Sequence, residues 1–197
     1  MVKDVILECL MLMDNISLYE KIKNINVKSN LEIELQTLEE ADKNTILLLV
    51  SSLKNVINSI TRNYLKNYAI ERVMSDDEGR IPYSNLTRPI ISVKSVTDEI
   101  NSQIVYKAYF DFLKVPFKNK LFDVCYSFET SDFVSLFDKL ELPLGLSCYT
   151  LALGTVASFM QIKLLYNEAE IFESKFRAEL SEIKPNSGVR SFFVWRN

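Results

Sequence analysis

The chain has 197 residues, 48% of them hydrophobic and 25% charged, with only four glycines and five prolines. That fits one globular domain, or one domain with arms, and leaves little room for low-complexity linkers. A net charge of −3 argues against nucleic-acid binding by the whole surface, and the absence of histidine excludes a hydrolase of the usual triad type.

Charged residues interrupt the apolar ones from Val2 to Leu10, which fits no signal peptide. Val2, Val5, Ile6, Cys9, Leu10 and Met13 instead recur at helical spacing. Asp14-Asn15 breaks that pattern, and Ile16 to Ile22 fits a short second helix. Asn24 to Asn30 is polar and reads as a loop. Leu31, Ile33 and Leu35 alternate too briefly to assign an element, leaving a strand or an extended arm open. Thr37-Leu-Glu-Glu40 has the pattern of a capping box. It predicts the start of a long amphipathic helix reaching to about Tyr68. Leu49, Leu53, Val56, Ile57, Ile60, Tyr64 and Tyr68 form one stripe, and Lys54, Asn58, Arg62 and Lys66 lie opposite.

Ser75-Asp-Asp-Glu-Gly79 is a turn-forming cluster that lacks the spaced oxygen ligands and closing glutamate of a calcium loop. Beyond Pro82 and Pro89 the period changes to two. Ile91 and Val93 alternate with Ser92, Lys94 and Val96. Tyr106, Ala108, Phe110 and Phe112 alternate with Lys107, Tyr109 and Asp111. In a third run from Leu121, the residues Phe122, Val124, Tyr126 and Phe128 share a face. These three runs predict a small antiparallel sheet, inserted at about residues 88–128, whose aromatics pack against the helices. The alternative is a stacking platform for single-stranded nucleic acid, with Lys107, Lys114, Lys118 and Lys120 nearby.

The longest uncharged run, Leu142 to Ile162, lies between Glu141 and Lys163 and is long enough to raise the question of a membrane span. Ser147, Thr150, Thr155, Ser158 and Gln161 are too many polar side chains for a lipid-facing helix. The run therefore predicts a helix entered near Pro143 and enclosed by protein, by its own fold or by neighbouring subunits. Ala152, Gly154, Ala157 and Ser158 would let neighbouring backbones come close. Asn167-Glu-Ala-Glu170 is a second capping-box-like start, opening a helix in which Ala169, Phe172, Phe176, Leu180 and Ile183 recur at steps of three and four. Pro185 and Asn186-Ser-Gly188 end it.

The last residues hold Arg190, Phe192, Phe193, Trp195 (the only tryptophan) and Arg196. Aromatics are rare in free tails, and tryptophan and arginine are enriched at interface hot spots. The tail therefore reads either as folding back on its own core or as an anchor for a neighbour.

No catalytic signature stands out. Gly145-Leu-Ser147-Cys-Tyr149 begins like a nucleophile elbow, but Tyr149 replaces the second glycine. No P-loop, dinucleotide fingerprint or paired-cysteine metal motif is present. Cys9, Cys125 and Cys148 are widely spaced among apolar neighbours, the pattern of reduced core thiols. The expectation is a protein without enzymatic activity, cofactor or metal.

The order of elements resembles the head–tail connector proteins of tailed phages, the adaptor rings also called head completion proteins or tail accessory factors. The resemblance runs over roughly residues 38 to 183. Leu47-Leu48 through Ile60 and Tyr64 correspond to the long helix. The strand ending at Tyr126 is followed by Asp138 and Leu142-Pro143, and Ala152 and Ala157 lie in the next helix. After a short break comes Asn167-Glu-Ala169, continued by Phe172 and Phe176. The resemblance implies an α+β fold, mainly α with a small antiparallel β insertion: a helical connector-type domain with an extended C-terminal arm. Its divisions would be residues 1–36 as N-terminal helix and arm, 37–184 as connector domain and 185–197 as docking arm. It further implies a homo-oligomeric ring of about twelve copies, a dodecamer, joined heterologously around the DNA exit channel. Its partners would be the portal protein and a tail or further neck protein, with DNA only as passing cargo and no membrane. Carried onto this chain, Arg190, Phe192, Phe193, Trp195 and Arg196 become portal- or subunit-docking residues. Ala152, Gly154, Ala157, Phe172 and Phe176 become subunit-packing residues.

Overall fold

Among the described residues two hydrophobic cores form, one between helices and one between sheets. The computed structural model describes residues 1–140, 142 and 146–183. Helix α1 (Val2–Leu12) buries Val2, Val5, Ile6, Cys9 and Leu10, the residues its spacing selects. The chain turns at Asp14, whose φ of 54° a short polar side chain tolerates. Asn15 then caps α2 (Ile16–Lys23) by accepting from the Leu18 N–H at 3.2 Å. The alternating residues after the next loop form a helical turn, α3 (Leu31–Glu34), capped by Asn30.

Helix α4 (Glu40–Asn63) carries the expected stripe, with Leu49, Leu53, Val56, Ile57 and Ile60 buried. Both of its ends differ from expectation. Its N-cap is Glu39, with no side-chain bond, so the Thr37–Glu40 box does not form. The Tyr64 and Leu65 N–H groups both donate to the Ile60 carbonyl, closing the helix before Tyr68 and leaving Tyr64 exposed.

Tyr68 instead opens a strand. The strands are β1 (Tyr68–Met74), β2 (Arg80–Pro82), β3 (Ile90–Thr97), β4 (Lys107–Ala108), β5 (Phe112–Lys114) and β6 (Leu121–Phe128). They make two antiparallel three-stranded sheets, ordered β1-β6-β3 and β2-β5-β4. Phe122, Val124, Tyr126 and Phe128 on β6 are buried in one cluster with Ile81, Leu113 and Val115 from around the second sheet.

This corrects the mainly α expectation. Among the described residues the fold is α+β, compatible with that part of the expectation, but it has six α-helices and two small sheets and is not a helical domain carrying one sheet. The aromatic face of β6 packs against the second sheet and not against the helices. The run at Tyr106–Phe112 is a hairpin turning at Tyr109–Asp111.

Gly79 makes the turn between β1 and β2. Its φ is +75°, and a Cβ there would lie 2.6 Å from the Val115 carbonyl oxygen, so only glycine fits. Asp76 holds the same turn by accepting from the Glu78 and Arg80 N–H groups at 2.8 and 2.7 Å.

Helix α5 (Cys148–Ile162) contacts α1, α4 and α6 (Tyr166–Glu182). It starts at Ser147, whose Oγ accepts from the Thr150 N–H at 3.0 Å; Pro143 lies outside the described residues. Helix α6 has already begun at Tyr166, with Leu165 as its N-cap and no side-chain cap bond, so the box at Asn167 is not used.

Candidate functional site

The five small and aromatic residues expected to pack subunits come together within one chain. Every residue from Leu151 to Ala157 is buried, so the middle of α5 is enclosed by its own fold. Ala152 is wholly buried and Ala157 nearly so, while Phe172 and Phe176 are half-buried against the helical core. A Cβ on Gly154 would lie 2.9 Å from the Phe176 ring and 2.9 Å from Val56 Cγ1. Glycine therefore lets α5 sit this close to α4 and α6.

The elbow between α5 and α6 leaves apolar surface open. The Leu164 N–H donates to the Gln161 carbonyl and the Leu165 N–H to that of Met160, the double bond pattern of a helix end whose penultimate residue is left-handed. That residue is Leu164, with φ 62°. Glycine normally fills such a position, and a branched side chain there costs roughly 1–2 kcal/mol. Leu164 nevertheless stands 69% exposed, beside exposed Ile162, Leu165 and Tyr166.

The segment that carries the chain from β6 toward α5 is clamped by two buried charged residues. Glu34 accepts from the Ser29 N–H, the Ser135 hydroxyl and the Leu136 N–H at 2.9, 2.5 and 2.7 Å. Lys3 donates to the Lys23 and Ile25 carbonyls at 3.0 and 2.6 Å and lies over the Phe137 ring. The Val2 and Lys3 N–H groups bond the carbonyls of Asp138 and Leu136. A sequence reading finds neither clamp, because their partners lie far apart along the chain.

In the sheet core, Tyr126 donates to Glu71, which also accepts from the Thr87 hydroxyl and N–H. Burial and this bond push the Tyr126 hydroxyl up to about 12. For Glu71, burial opposes the charge, but the hydrogen bonds from Thr87 and Tyr126 outweigh it and hold the carboxyl below its usual range. The burial of Phe122, Tyr126 and Phe128 takes them out of any stacking platform for bases. Cys9 is buried and its thiol is held well above its ordinary range by burial, with Glu8 adding to the effect. Cys148 is exposed, which corrects its reading as a core thiol.

No helix among the described residues is long and apolar enough to cross a membrane. Nor do the described residues gather three or more histidine, cysteine, aspartate or glutamate side chains able to hold a metal ion. The tail residues Arg190, Phe192, Phe193, Trp195 and Arg196 lie outside the described residues. Set against known proteins, the chain matches no family model and no curated protein.

Proposed function

We propose that this chain is a structural, non-enzymatic neck component of a tailed phage, made in the host cytoplasm and built into the virion. Copies form a closed ring, on the order of twelve, that joins the portal to a tail or further neck protein and lets DNA pass. The observation that carries this reading is the α5–α6 hairpin, whose elbow keeps Ile162, Leu164, Leu165 and Tyr166 exposed at one end. The other end leads into the aromatic, basic segment 185–197. Exposed apolar residues grouped in this way mark a surface that another protein covers.

The test is electron microscopy of the purified chain, alone and mixed with portal rings, with a variant lacking Pro185 to Asn197 as control. The full chain is expected to add a ring of density to the portal, and the truncated chain to fold but fail to bind. Unchanged portal affinity in the truncated chain would overturn the assignment of the arm.

A further inference from the structure

The β4–β5 hairpin presents a fully exposed aromatic side chain on a braced tip. Phe110 is 100% exposed. Around it, the Tyr109 ring stacks on Phe112 with centroids 4.7 Å apart, and the Tyr109 N–H donates to the Phe112 carbonyl. Tyr83 donates through its N–H to the Asp111 carbonyl and through its hydroxyl to that of Tyr109. Arg80 lies over the Phe112 ring at 5.2 Å. A side chain on so fixed a turn loses little conformational freedom when it is buried by a partner.

A receptor for such a side chain lies elsewhere on the β region. Where β1 ends and β6 begins, a cleft of about 420 Å³ is lined by Met74, Ile100, Phe117 and Leu121, with Glu99 and Lys120 on it as well. Ile100 is 80% exposed on a turn held by Asp98, which accepts from the Ile100 and Ser102 N–H groups at 3.1 and 2.8 Å. The two features sit at opposite ends of the β2–β5 ladder. The hairpin tip lies beyond the Pro82–Phe112 pair. The Arg80 end is tied toward the cleft by the bonds Asp76 N–H to Arg80 carbonyl and Ser75 N–H to Lys120 carbonyl.

We propose that Phe110 inserts into the Met74–Ile100–Phe117–Leu121 cleft of a second copy of this chain. Projection and receptor are different surfaces, so the contact is heterologous and repeats from copy to copy until it closes. Charge supports the pairing. Lys107 and Asp111 lie close to Phe110 in the chain, and Asp98, Glu99 and Lys120 line the receiving cleft, so each sign of charge on the projecting side has an opposite sign available on the receiving side. The proposal rests on the adaptor-ring reading for closure, and it names the contact that would hold neighbouring copies together.

Sedimentation of the full chain over a concentration series tests it. Phe110→Ala is expected to weaken self-association on the order of thirtyfold, the loss of an interface hot spot, with no change in melting temperature. Ile100→Glu should do the same from the other side. Mixed, the two variants retain one intact junction, Phe110 of one inserted in the unaltered cleft of the other, and should form one-to-one pairs that grow no further. Rings of Phe110→Ala as tight as those of the unaltered chain would overturn this contact and leave the ring reading standing. So would intact rings that have lost portal binding, which would make the portal the occupant. A mixture without pairs would also overturn the contact. An unaltered chain that stays monomeric would overturn it too, and portal mixing would then decide the ring separately.

Discussion

Gly154 on α5 and Phe176 on α6 approach until no methyl group fits between them, a Cβ on Gly154 lying 2.9 Å from the Phe176 ring. Val56 on α4 closes the opposite side at the same distance. One hydrogen atom in place of a side chain therefore sets the spacing of three helices.

Gly154→Ala adds a methyl to this contact. Overpacking costs about 1–3 kcal/mol, and the better helix propensity of alanine returns about 1 kcal/mol. The expected net loss is about 1 kcal/mol in urea unfolding, because the rigid Val56 side prevents full relaxation. Phe176→Leu in the same chain should recover part of it. A stability equal to or above that of the unaltered chain would show that α6 moves aside freely.

Glu34→Ala removes the acceptor of three hydrogen bonds, two from backbone N–H groups and one from Ser135. Donors left unpaired in a buried site make a loss of about 2–4 kcal/mol the expected outcome. Amide exchange at Leu136 should rise with it. Unchanged protection at Leu136 would mean that water replaces the carboxylate.

Leu164→Asn tests whether the elbow trades stability for contact. Asparagine tolerates the left-handed backbone at φ 62°. The monomer should gain about 0.5–1 kcal/mol. Portal-bound assemblies should meanwhile weaken about tenfold or more, since the apolar side chain is lost. Gain of stability with undiminished assembly would remove the elbow from any interface.

Tyr126 makes stability fall in alkali. Its hydroxyl is pushed up to about 12 from an ordinary 10. Between those values the unfolded chain releases a proton that the folded chain keeps, so the stabilisation is complete below the lower value and lost as pH rises through the upper one. Tyr126→Phe is expected to flatten this decline, read from urea midpoints at about pH 9 and about pH 11. An equal slope in both proteins would assign the decline to other groups.

Much of the helical half was legible from spacing alone. The stripes on α1 and α4 and the alternation on β6 are long enough for periodicity to separate a buried face from an exposed one. Capping patterns were less informative, since neither box at Thr37 or Asn167 is used. A cap forms only where the backbone already turns.

The sequence by itself determined the two periodic helices, the central strand and the uncharged run that becomes α5. The tertiary structure alone decided that the middle of α5, Leu151 to Ala157, is enclosed by its own chain, with Gly154 against Val56 and Phe176. It also decided that Tyr68 begins a strand and that two sheets share one core, because β2, β4 and β5 are each three residues or fewer. Segments that short have no period to read; only the residues facing them across space define them.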